Sequence, residues 1–256
     1  MTLEQFLSFN IFQFFLIFCR IGGAMIVLPG YGEAYVPSQI RLVLALMISL
    51  VAMPMLKPHL PPMPAGLDGL VMLLGSELGV GLFFGSVARV LLMATQSAGM
   101  VIALQIGVAN ALVMDPVSAQ QGAVPGNFLL ALVLALIFVT GLDHMALKSL
   151  IGTYGVIMPG ILPPIGDVAN FMSRTLSDSF LLAIQLATPF LVYGLVFQVG
   201  LGLLSRLMPA LQVFFVATPL QLLGGIAILA VSLTTASLWF LNSYEEHLSN
   251  FLGQTR

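Results

Sequence analysis

The stretch Gly99–Gly126, GMVIALQIGVANALVMDPVSAQQGAVPG, enters as an apolar helix and then breaks into a polar segment punctuated by glycine and proline before hydrophobic character resumes. Irregular backbone at bilayer depth is tolerated only where it packs against protein or lines an aqueous cavity, because unpaired N–H and C=O groups are costly in lipid. The stretch therefore predicts two membrane-depth helices joined by a loop that faces protein or water. That makes the loop a candidate gate.

Composition agrees with a membrane setting around it. Hydrophobic residues make up 59% of the 256 and charged residues 7%, with a mean hydropathy of +1.07, whereas soluble domains carry about 25% charged residues. The chain reads as an all-α integral membrane protein. Its length suits one helical domain, and a formal net charge of -2 is too small to point to nucleic acid as a partner. Cys19 is the only cysteine, so neither an intrachain disulfide nor a cysteine-based metal site can form. Glu4 stands where a basic leader region would be and Arg20 interrupts the first apolar run, so no cleavable signal peptide is expected.

A bilayer-spanning helix needs about 20 mostly apolar residues. By that measure six segments are expected, at Ile11–Leu28, Ile40–Leu56, Leu67–Ile106, Phe128–Leu142, Phe180–Leu204 and Phe214–Leu241. The third is too long for one span, and reads as one long element with a bend rather than as a pair broken around Gly79–Gly85. Prolines at 58, 61, 62 and 64 make Lys57–Pro64 an extended link, and Pro159, Pro163 and Pro164 do the same for Met158–Asp167. Ala187-Thr188-Pro189 recurs as Ala217-Thr218-Pro219, an echo that suggests two related helices. Lys57, Lys148, Arg174 and Arg256 on one side against Arg41 and Arg206 on the other are too evenly balanced to set an orientation.

Charges inside the apolar runs need partners. Arg20 at membrane depth costs roughly 2.5–3.5 kcal/mol on insertion scales unless it pairs or snorkels. Glu77, isolated in LLGSELGVGLFFG, is the natural partner. The alternatives are an Arg20 that reaches an interface or a carbonyl cluster, and a Glu77 that carries a proton as in a transporter. Gly75-x-x-x-Gly79 and Gly81-x-x-x-Gly85 flank Glu77 and would let a neighbouring backbone approach closely.

Enzymatic constellations are mostly missing. His59, His144 and His247 are dispersed without metal-ligand spacing. Asp143-His144 could be drawn as an acid–base pair, yet no G-x-S-x-G elbow accompanies it, and no G-x-x-x-x-G-K-[ST] loop occurs. A polar helix end is the simpler reading of that pair, and no catalytic residue, cofactor or metal is expected. Met100 and Met114 near the loop could seal an irregular gap or simply fill apolar space.

Several motifs taken in order carry a resemblance. Arg20-Ile21-x8-Gly30 is followed by Val36-Pro37-x3-Arg41 and Pro54, then by Leu104-Gln105-Ile106-Gly107…Asp115-Pro116, by His144, and by Gly202-Leu203-Leu204-Ser205-Arg206-x2-Pro209. Together they resemble the FliR family of flagellar export-gate proteins, whose counterpart in virulence-type type III secretion is the SctT family. The match spans essentially the whole chain.

The resemblance implies a gate subunit of the flagellar basal body in the bacterial inner membrane. It would form with FliP and FliQ a protein-conducting channel for unfolded flagellar proteins, with FlhB and FlhA nearby. It also implies that residues 1–157 are FliP-like and 175–256 are a FliQ-like hairpin and tail. Much apolar surface would then be buried against sister subunits rather than lipid. The family's channel plug would fall on about Gly107–Gly122. In that segment Asn110, Asp115, Ser118, Gln120 and Gln121 suit a wet lumen, Val113 and Met114 can occlude it, and Gly107, Pro116 and Gly122 shape the backbone. Arg206 keeps its family position, where it caps carbonyls or pairs with a neighbouring subunit. Pro209-Ala210-Leu211-Gln212 replaces the family's Pro-Gln-Leu-Asn or Pro-Gln-Leu-Ser, and Ala217 stands where glycine is frequent. Two other readings stay open from the residues alone. A secondary transporter would bind solute near Glu77, Pro189 and Pro219, and a stand-alone channel would form a symmetric homo-oligomer.

Overall fold

A computed structural model of the chain describes residues 3–64, 66–107, 124–161, 163–208 and 213–252. Among these residues lie seven α-helices and no strand: α1 (Leu3–Val27), α2 (Ser38–Leu56), α3 (Leu67–Gln105), α4 (Val124–Val139), α5 (Leu142–Val156), α6 (Ile165–Leu207) and α7 (Val213–Ser249). Five of them are long and apolar enough to cross a membrane, and α4 with α5 makes a sixth if the broken pair is taken as one span. The protein is an all-α integral membrane protein.

Several boundaries differ from the hydropathy reading, each for a local reason. The fourth segment stops at Val139 rather than Leu142, because Gly141 takes a left-handed backbone with φ 75°, a conformation that glycine adopts without steric cost. The helix that follows, α5, mixes apolar residues with Asp143, His144, Lys148, Ser149 and Thr153, so hydropathy alone passes over it. The third segment, by contrast, is the one long element expected, a single 39-residue helix unbroken at Gly79–Gly85. The fifth is the apolar part of a 43-residue helix whose polar opening around Asp167, Arg174 and Asp178 hides its start. The Lys57–Pro64 link is not extended throughout, since Lys57–His59 forms one 3₁₀ turn. Pro58 is tolerated there because the first turn needs no donor from it. Likewise α6 begins at Ile165, directly after Pro163 and Pro164, with the Asp167 N–H donating to the Pro164 carbonyl at 2.9 Å.

The chain divides into two compact units. The first comprises residues 1–90, 137–175 and 244–256. Its core is one face of α1: Leu16, Ile17, Arg20, Ile21, Ala24, Met25 and Leu28 are essentially inaccessible, at the spacing that puts them on one helical stripe. In the same unit Phe251, beyond the end of α7, packs edge-on against Phe84 at 5.1 Å and Phe171 at 5.4 Å between ring centres. The second comprises residues 91–136 and 176–243. Its core gathers Ile102, Ile106, Leu129, Ala187 and Phe190, with Ile228, Leu229 and Leu233 packed against them. Within this unit Gly126 packs against Gly99, where an added Cβ would lie 3.0 Å from the Pro125 carbonyl carbon. The two glycines at the ends of the opening sequence stretch thus bring α3 and α4 into backbone contact.

Candidate functional site

Arg20 sits on the buried stripe of α1, and the structure brings it together with Glu77 of α3. Arg20 Nε donates to Glu77 Oε2 at 2.7 Å and Nη2 donates to Oε1 at 2.8 Å, a bidentate geometry that suits the planar guanidinium. Nη1 donates to Thr153 Oγ1 at 3.1 Å, and Nη2 also donates to the Ile157 carbonyl at 3.2 Å. The guanidinium carbon lies 3.8 Å from the centre of the Tyr154 ring, a cation–π contact. Arg20 and Glu77 are 0% and 1% exposed. A charge in such a place persists only when paired and hydrogen-bonded, and here both oxygens of the carboxylate and both faces of the requirement are met.

Small residues make the approach possible. An added Cβ at Gly81 would lie 2.9 Å from the Arg20 carbonyl carbon, one at Gly85 2.7 Å from the Ala24 carbonyl oxygen, and one at Gly23 2.8 Å from the Leu78 carbonyl oxygen. Among the described residues nothing lies within 4 Å of a Cβ added at Gly75 or Gly79. Of the two expected glycine pairs, only Gly81 and Gly85 meet α1.

A second polar cluster braces the turn between α1 and α2. Arg41 donates to the carbonyls of Tyr31, Glu33 and Val36 at 3.0, 3.2 and 3.3 Å. Glu33 forms an ion pair with Arg89. Tyr31 Oη donates to Asp143 Oδ2 at 3.3 Å, while His144 Nδ1 lies 3.0 Å from Asp143 Oδ1. Burial, and then the charge and hydrogen bond of Asp143, push the Tyr31 phenol up to about 12. Asp143 is thus engaged by a tyrosine and a neighbouring histidine as a structural acceptor. Among the described residues no group of three or more His, Cys, Asp or Glu is placed to hold a metal ion.

Of the expected plug residues, Gly107 is described. It follows the end of α3 with φ +81° and is buried. Asn110, Val113, Met114, Asp115, Pro116, Gln120, Gln121 and Gly122 lie outside the described residues. Arg206 is in the last turn of α6 and exposed.

The end of α3 also joins Gln105, known from the sequence only as part of a motif, to two residues that the sequence did not point to, Tyr193 and Gln221. Gln221 Nε2 donates to the Gln105 carbonyl at 2.7 Å, and Tyr193 Oη donates to the Gln221 carbonyl at 2.9 Å. The available signal was their polarity within otherwise apolar runs, which hydropathy windows average away.

The bacterial export proteins of family 1 match residues 11–247 of this chain. The flagellar biosynthetic protein FliR of Caulobacter vibrioides is 33% identical over 244 residues, covering 95% of this chain and 97% of that protein. FliR of Escherichia coli K12 is 29% identical over 90% of this chain and 87% of its own length. The Yop proteins translocation protein T of Yersinia pestis is 32% identical over 155 residues, 59% of each chain. The two FliR relatives match over 95% and 90% of this chain and the Yersinia protein over 59%, so the chain belongs to the FliR family of bacterial export proteins.

Proposed function

We propose that this chain assembles with FliP and FliQ in the bacterial inner membrane, at the flagellar basal body, to form a channel through which unfolded flagellar proteins pass. Family membership makes it a subunit of a type III secretion export gate. The finer reading adds FlhB and FlhA as neighbours, a non-enzymatic role, a FliP-like part in residues 1–157 and a FliQ-like hairpin in 175–256. It also assigns channel plugging to the segment from Gly107 to Gly122.

The observation that carries the reading is bare apolar surface on helices that are otherwise well formed. In the most apolar window of α7 only 11% of the residues are buried within the chain, and in that of Ser38–His59 only 22%. Val231 is 83% exposed and Val51 72% exposed. Faces of this kind need lipid or protein against them. A gate subunit offers such faces to its sisters, and the polar segment after Gly107 then has an aqueous lumen to occupy.

Co-expression with FliP- and FliQ-type proteins followed by detergent purification tests the assembly. A stable heteromer containing all three is the expected product. A chain that purifies alone as a monodisperse, solute-binding species would instead favour a transporter.

A further inference from the structure

Within the unit formed by residues 91–136 and 176–243, α3, α6 and α7 meet where α3 ends. Gln105 is the last residue of α3, and its carbonyl is among those a helix terminus leaves without an internal donor. The Gln221 side chain on α7 supplies that donor at 2.7 Å. Because the acceptor is a carbonyl, the amide nitrogen of Gln221 must face it, which fixes the orientation of the side chain. The Gln221 backbone carbonyl in turn receives the Tyr193 hydroxyl of α6 at 2.9 Å.

Three glycines make this relay fit. A helical carbonyl is flanked by the side chains three and four residues later, and for Gln221 those positions are Gly224 and Gly225. Its second lone pair is thereby open to a hydroxyl. An added Cβ at Gly224 would lie 2.9 Å from Tyr193 Cζ, one at Gly225 2.6 Å from Ile106 Cβ, and one at Gly194 2.9 Å from Gln105 Cδ. The apolar cluster of Ile102, Ile106, Leu129 and Phe190 holds the helices together, but apolar contact is non-directional. The two hydrogen bonds add direction.

We propose that Gln221 and Tyr193 are positioning residues that fix the rotational setting of the last turn of α3, and so the direction in which the backbone leaves it at Gly107. The consequence for gating rests on the plug reading above. The setting of the helix end does not.

The test uses the assembled complex carrying Gln221→Met, which keeps length and loses the donor, or Tyr193→Phe, which removes one oxygen atom. Hydrogen exchange is read at the amides of residues 103–107 and, as a control for global loosening, at residues 16–24. Potassium efflux from proteoliposomes is read in parallel, beside a complex lacking Ala111–Gln121. The expected result is about tenfold faster exchange confined to 103–107, the scale of one lost hydrogen bond, with efflux raised towards that of the deletion. The double variant should be no worse than Gln221→Met alone, because the two bonds act in series.

Unchanged exchange at 103–107 in both single variants would overturn the proposal whatever the efflux. Faster exchange without efflux, where the deletion does leak, would overturn the link to gating. A deletion that does not leak would remove the plug reading, and the exchange result alone would then decide the positioning role. If Gln221→Met does not assemble, Tyr193→Phe carries the same decision.

Discussion

Arg20 on α1 and Glu77 on α3 share two hydrogen bonds of 2.7 and 2.8 Å at 0% and 1% exposure, although 57 residues separate them in sequence. Removing one partner leaves a buried charge uncompensated, which costs about 3–5 kcal/mol. Arg20→Met and Glu77→Gln should each lower the yield and melting temperature of the purified complex sharply. The double variant Arg20→Met/Glu77→Leu should be less damaging than either single change, because a well-packed apolar pair can replace a buried ion pair. Exchange of the two charges should restore only part of the loss, since Thr153 and the Ile157 carbonyl are placed for a guanidinium on α1. A double variant that adds the two single penalties in full would show that the groups are not coupled.

The two glycine pairs on α3 make opposite predictions. Gly81→Ala presses a methyl group against the α1 backbone and should destabilise by about 1–3 kcal/mol, as overpacking does. Gly79→Ala meets none of the described residues and gains up to about 1 kcal/mol of helix propensity. Thermal melts of the isolated chain in detergent separate the two, and equal effects would count against the α1–α3 contact.

Tyr31 gives a pH dependence with a definite sign. Its folded pKa of about 12 stands above the ordinary phenol value of 10, so the folded state holds the proton more tightly. The associated stabilisation is fully present below pH 10 and is lost as pH rises through about 12. Asp143→Asn should bring the titration down, because it removes the carboxylate charge and weakens the hydrogen bond, and should leave an elevation due to burial. Phenolate absorbance of wild type, Tyr31→Phe and Asp143→Asn measures it, and an unmoved transition in Asp143→Asn would contradict the assigned contact.

The plug reading predicts that deleting part of Ala111–Gln121 lets ions or small solutes leak through an assembled gate. Potassium efflux in cells co-expressing the gate subunits is the direct measurement. An assembled deletion complex as tight as wild type would mean that something other than this loop closes the channel.

Hydropathy alone made the helical class and most spans legible, because runs such as Phe180–Leu204 are apolar on every side. It stopped short where composition turned mixed. The whole of α5 is helical through packing rather than oiliness, with Leu142, Ala146, Leu150 and Tyr154 buried on one face, whereas the opening of α6 is exposed at Asp167, Arg174 and Asp178, so no apolar run marks its start. The Arg20 and Glu77 pairing could be posed from the sequence because each charge is isolated in its own run. Thr153 and Tyr154 could not, since nothing in the sequence says which turn of a later helix lies against α1. The Gln105, Tyr193 and Gln221 relay was hidden for the same reason, as three scattered polar residues become one arrangement only when their helices meet.

Arg20 is made by the ribosome well before the groups that pair with it. Glu77 follows 57 residues later and Thr153 follows 133 residues later, so at a synthesis rate of 5–20 residues per second the guanidinium waits about 3–11 s for its counter-charge. During that interval the first hydrophobic segment carries an unneutralised cation, and its stable depth in the bilayer is set by headgroups and water. Biogenesis of this subunit therefore includes an adjustment of its earliest helix, timed by the arrival of the third.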